Sequence, residues 1–190
     1  MNRRDALNRV ALILGGTVVG GAAFLEGCKS GGDKLAVGLP FSAENISFLD
    51  EVAETIIPTT STPGAKAAKV GEFMNTMVVD CYTEGDQKVF VEGLQKIEDA
   101  SQKKNSKSFM SSSPEEKKAL LTEIDNELKA YNKNKKDGEP NHYFGLMKQL
   151  TLLGYFTSEV GATQALRYIA VPGKYEGCIP YTKGEKAWAT

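Results

Sequence analysis

Apolar residues recur at a spacing of three to four along most of this chain, and no convincing run alternates with period two. That spacing puts one apolar stripe on each of several helices and leaves no strand to build a sheet, so it predicts an all-α fold. Ser42 can cap a helix carrying Ile46, Leu49, Val52, Ala53, Ile56 and Ile57, ending at Pro58. A turn-rich stretch, Thr59-Thr60-Ser61-Thr62-Pro63-Gly64, follows. Val70, Phe73, Met74, Met77, Val78 and Cys81 mark a second helix, and Thr83 with Asp86 starts a third carrying Phe90, Leu94 and Ile97. Residues 102–113 are polar and basic and read as a solvated loop. Ser113-Pro114-Glu115-Glu116 combines a cap, a first-turn proline and acids at the positive end of the helix dipole. Leu120, Leu121, Ile124, Leu128 and Tyr131 form the buried stripe behind it, and the hydrophilic residues 132–138 end it.

Residues 143–156 are apolar on nearly every side, as a central core helix requires. The chain beyond them mixes small, hydroxylated and charged residues, then carries Pro172, Gly173, Tyr175, Gly177, Cys178, Pro180 and Tyr181. Such a segment cannot be a long helix, yet it is too aromatic for a disordered tail, so it lies on a surface, its own or a partner's. Tyr155, Phe156, Glu159, Arg167, Tyr168, Tyr175 and Tyr181 are the candidates for a partner interface. If the helix continued, Glu159 and Arg167 would share a face two turns apart.

The first residues read as an address. Arg3 and Arg4 precede residues 10–25, which hold no charge and would span about 24 Å as a helix, short of the ~30 Å bilayer core. A basic start, a short apolar run and small residues near its end describe an export signal. The paired arginines point to the twin-arginine route for folded proteins, and the same basic start also suits general secretion. Leu25-Glu26-Gly27-Cys28 resembles a bacterial lipobox, which makes Cys28 the expected site of lipidation. The expected organisation is an export signal over residues 1–27, a tether over 28–41 and one helical domain over 42–190. The protein would then sit, lipid-anchored, on the periplasmic side of a bacterial membrane.

The inventory of reactive groups is short. The chain has 190 residues, 23 Lys and Arg against 24 Asp and Glu, one His and three Cys. A net charge of −1 gives no electrostatic case for nucleic acid. No GxGxxG follows a strand, and there is no GxxxxGK[ST] phosphate loop and no CxxCH haem motif. With Cys28 acylated, Cys81 and Cys178 remain in an oxidising compartment and become candidates for a disulfide, with unpaired buried thiols as the alternative. His142 reads as a structural or surface residue at a helix start. No catalytic residue, bound cofactor or metal site is expected in this chain.

Two blocks carry a family resemblance. Glu54-Thr55-Ile56-Ile57-Pro58-Thr59 with Thr62-Pro63-Gly64-Ala65 is similar to the N-terminal signature of the gluconate 2-dehydrogenase subunit 3 family. Gly154-Tyr155-Phe156-Thr157-Ser158-Glu159-Val160-Gly161 and Tyr175-Glu176-Gly177-Cys178 resemble its C-terminal signature. The similarity covers residues 48–189. It implies a small, non-catalytic subunit exported with a large glucose-methanol-choline-type subunit. That partner would hold FAD and oxidise a sugar, sugar acid or polyol, often with a cytochrome c as electron acceptor. The alternatives are a free-standing periplasmic binding lipoprotein and a small enzyme using Cys81 or His142.

Overall fold

The computed structural model describes residues 38–174 and 176–189. The expected export segment, with Arg3, Arg4 and Cys28, lies outside the described residues, as does Tyr175. The described chain forms five α-helices and one π-helical turn, with no strand among them. These are α1 (Ala43–Ile56), α2 (Val70–Cys81), α3 (Glu84–Asn105), α4 (Pro114–Asn134) and α5 (Tyr143–Thr157), followed by the turn Gly161–Ala165. The all-α expectation holds, as a single compact helical domain with an irregular C-terminal segment.

Every α-helix but α2 starts at a capping residue of its own. The Ser42 hydroxyl accepts from the Asn45 N–H at 3.2 Å, and the Asn45 side chain accepts from the Ser42 N–H. The same reciprocal box joins Ser113 and Glu116 at α4, with Pro114 at the first helical position. Thr83 caps α3. α2 has no cap of its own: its first residue follows Lys69 in a left-handed conformation. Asp50 of α1 instead accepts from the Gly71 N–H at 2.8 Å. A Cβ on Gly71 would lie 2.6 Å from the Ile46 carbonyl oxygen, so the glycine permits the close α1–α2 approach on which this borrowed cap depends.

α5 packs against all four other α-helices and is the central element. Phe144, Leu146, Met147, Leu150 and Tyr155 join Phe48, Leu49, Val52, Met74, Phe90, Leu94 and Ile97 in one core. Phe41 also packs there, its N–H donating to Asn75 Oδ1 at 2.9 Å. The α3–α5 crossing is tight, because a Cβ on Gly93 would meet Tyr143 at 2.7 Å. Around the rim, Lys117 and Lys66 both reach Glu51. Burial pushes the Glu51 carboxyl up, but those two cations together hold it below the usual carboxylate range.

The stretch 102–113 differs from the expected solvated loop. α3 continues to Asn105, and Phe109 is fully buried against the ring of Phe48, with centroids 5.1 Å apart. Its backbone N–H is satisfied by the buried Glu98 carboxylate at 2.9 Å, and the Ser101 and Ser112 hydroxyls meet at 3.2 Å beside it. A single aromatic among serines and lysines carries no periodicity, which is why the sequence pattern misses it. α4 likewise runs on to Asn134, three residues into its hydrophilic end, and Tyr131 is half-buried rather than core, donating its hydroxyl to the Pro140 carbonyl at 2.7 Å.

Candidate interaction surface

The two sequence blocks meet at one end of the bundle. At the end of α1, the Glu54 carboxylate accepts from the Thr59 N–H and hydroxyl, both at 2.8 Å, and from the Lys66 N–H at 2.9 Å. Gly64 closes against this carboxylate, and its N–H donates to the Thr59 hydroxyl oxygen at 3.0 Å. Glu54 is thus the hub of the 57–66 loop. From α5, the Tyr155 hydroxyl donates to the Pro63 carbonyl at 2.6 Å, across 92 residues of sequence. Gly154 lies against the ring of Phe73, where a Cβ would approach to 2.6 Å. Replacing Glu54 by Ala removes three hydrogen bonds from one loop and is expected to cost about 1–3 kcal/mol. Urea unfolding measures that loss, and Glu54→Gln, which keeps one acceptor oxygen, should lose less.

Tyr155 is therefore a core residue, not part of a partner interface: it is 2% exposed, and its hydroxyl is committed to the chain's own loop. Phe156, by contrast, is 41% exposed, and Leu152 and Leu153 share that stripe of α5 at 43% each. The expected central helix is central along most of its length and uncovered on one side of its last turns. No stop is visible in the hydropathy there, because the residues remain apolar while their surroundings end.

Beyond α5 the helix breaks at Ser158, resumes at Glu159, passes into the π turn and ends at an extended Leu166, so Glu159 and Arg167 do not share a helical face. The Ser158 hydroxyl donates to the Tyr155 carbonyl at 2.6 Å, and the Gly161 N–H donates back to that hydroxyl at 3.0 Å. A Cβ on Gly161 would lie 1.9 Å from the Tyr155 oxygen, so only glycine lets the π turn fold onto α5. Glu159, Tyr168 and Tyr181 are exposed, as expected of interface candidates. Arg167 is turned inward instead: its guanidinium lies over the Trp188 ring at 4.2 Å, and its Nη1 pairs with Glu185 at 3.4 Å. Trp188 was not singled out by the sequence, since nothing local signals a contact made across the whole C-terminal segment.

Cys81 and Cys178 are free and exposed, so the expected disulfide is not formed in this structure. α5 ends beside Phe73 and Pro63, near the start of α2, and the C-terminal segment leaves from there. Cys81 closes the far end of α2.

The remaining reactive side chains make no catalytic array. His142 caps α5, its Nδ1 accepting from the Phe144 N–H at 3.3 Å, and stacks on Tyr143 with ring centroids 4.4 Å apart. Burial lowers its pKa. Burial and the charge of Glu127 push the neighbouring Tyr143 hydroxyl up to about 12. Among the described residues no group of three or more His, Cys, Asp or Glu side chains could hold a metal ion, and no helix is long and apolar enough to cross a membrane.

Comparison with curated proteins and with solved structures found no match. The family model described as gluconate 2-dehydrogenase subunit 3 matches residues 43–173, well over half of the chain. Its span runs from the first residue of α1 through the π turn, taking in both halves of the Glu54–Pro63–Tyr155 junction. On that match the chain belongs to the gluconate 2-dehydrogenase subunit 3 family.

Proposed function

We propose that this protein is a non-catalytic accessory subunit that assembles with a large FAD-dependent dehydrogenase acting on a sugar, sugar acid or polyol. In this reading it helps export the partner and holds it at the periplasmic side of the membrane through lipid on Cys28. FAD belongs to the partner, and a cytochrome c is the expected electron acceptor. The observation that carries the reading is the exposed apolar side of α5 and the C-terminal segment, in a chain whose family is that of a dehydrogenase subunit. Leu152, Leu153 and Phe156, followed by Tyr168, Ile169, Val171 and Tyr181, make a concentration of exposed apolar side chains that a second protein surface would cover.

The test is deletion of this protein in cells that make the dehydrogenase, followed by fractionation and a dye-reduction assay with candidate sugars. The large subunit is expected to accumulate in the cytoplasm and periplasmic activity to fall at least tenfold. An active large subunit reaching the periplasm in normal amount would reject the reading in favour of a free-standing lipoprotein. Cys28→Ala should release the protein from membranes. A mature N-terminus upstream of residue 28 with no acyl mass would exclude the anchor.

A further inference from the structure

Residues 166–189 leave the helical body and close on themselves. Among the described residues this segment supplies no member of the buried core. Its hydrogen bonds run within the segment or to the adjoining π turn, where Lys186 donates to the Gln164 carbonyl and the Leu166 N–H to Gly161. The two ends are nevertheless joined. The Arg167 N–H donates to the Ala187 carbonyl and the Ala189 N–H to the Arg167 carbonyl, each at 2.9 Å, forming a parallel bridge between Arg167 and Trp188. Stacking of Arg167 on Trp188 and its pairing with Glu185 reinforce that closure.

A loop held shut in this way has already lost conformational freedom without gaining burial. Val171 and Tyr181 are each 82% exposed, and an open groove of about 810 Å³ is lined by Ile169, Pro172, Ile179 and Trp188, with Lys174 and Glu176. Preorganisation of that kind favours binding, because a partner need not order the loop. The segment carries four basic residues (Arg167, Lys174, Lys183, Lys186) against two acidic ones (Glu176, Glu185), a net +2 in a chain of net −1. A two-fold contact between copies would set two such positive loops against each other. An apolar surface edged with carboxylates complements it.

We propose that residues 166–189 form a preformed docking loop, closed by the Arg167–Trp188 clip, which receives an apolar, carboxylate-edged face of the flavin-bearing subunit. The proposal rests on the accessory-subunit reading above. Arg167 and Trp188 act as positioning residues, and Ile169, Val171, Ile179 and Tyr181 make the contact.

The test uses the tagged full-length protein isolated from its native membranes, with a photo-crosslinking residue at position 171 or 181 and a control at 133, on the last turn of α4. Crosslinks to a polypeptide carrying FAD are expected from 171 and 181 and not from 133. Trp188→Ala should lower recovery of that flavoprotein at least tenfold while the thermal midpoint of the helical body stays unchanged. Trp188→Phe, which keeps a ring for Arg167 to stack on, should restore most of it. Full recovery with Trp188→Ala overturns the docking loop and leaves the accessory role standing. So do crosslinks that run only to lipid, only to a second copy, or only from 133. Recovery of no flavoprotein at all overturns both.

Discussion

Phe109→Ala is expected to destabilise the helical body by about 3–5 kcal/mol, the usual cost of emptying a fully buried aromatic site. At roughly 2–4 °C per kcal/mol for a domain of this size, the thermal midpoint should fall by about 6–20 °C. The effect is large because several contacts converge on one side chain. The ring packs on Phe48 and lies 5.6 Å from the Lys117 ammonium, and its N–H occupies the buried Glu98 carboxylate. Losing the ring also loosens the 106–113 connection and leaves Glu98 less well enclosed. Calorimetry on wild type and variant measures the shift. A loss below about 1 kcal/mol would mean that residues 102–113 are solvated after all, as their composition suggests.

Gly161→Ala should act in a different place. Its Cβ would sit 1.9 Å from the Tyr155 carbonyl oxygen, and backbone offers no flexible end to move aside. The π turn must therefore open, which frees the Ser158 hydroxyl from the Gly161 N–H and displaces everything from Leu166 onward. The expected cost to global stability is about 1–3 kcal/mol, because Gly161 is the buried anchor of the turn while the core itself belongs to α1–α5. The larger effect is on the proposed assembly: recovery of the proposed dehydrogenase partner should fall at least tenfold. Hydrogen exchange should show amides after residue 161 losing protection while those of α3 and α4 keep theirs. Unchanged exchange at Leu166, whose N–H is bonded to the Gly161 carbonyl, would show that the turn tolerates a side chain.

The helical body was legible in the sequence because its signals are local. Ser42, Thr83 and Ser113 announce three helix starts, and Pro58 a stop, through bonds spanning three or four residues. What the sequence left hidden depends on partners far along the chain. Phe109 has no periodic neighbours, and the cap of α2 comes from Asp50, twenty-one residues away. Tyr155 belongs to an apolar helix in which every residue looks equally buried, so the difference between it and Phe156 emerges only once the bundle has an edge. Arg167 looked like a free cation for a partner because its stacking partner, Trp188, lies at the other end of an irregular segment with no repeat to betray the pairing. The expected Cys81–Cys178 bond is likewise absent, because counting thiols says nothing about whether two of them come together.

The proposed role is that this protein works bound to a flavin-bearing dehydrogenase subunit, and the family match and the exposed apolar side chains are what support it. The most direct measurement is purification of the tagged full-length protein, under mild detergent, from the cells that make it, with the flavin content and subunit ratio of the product determined together. The account predicts one equivalent of FAD per copy of this protein, carried on a larger polypeptide that reduces an electron-accepting dye when given a sugar or polyol. A homogeneous preparation of this protein alone, free of flavin and of any larger partner, would contradict it.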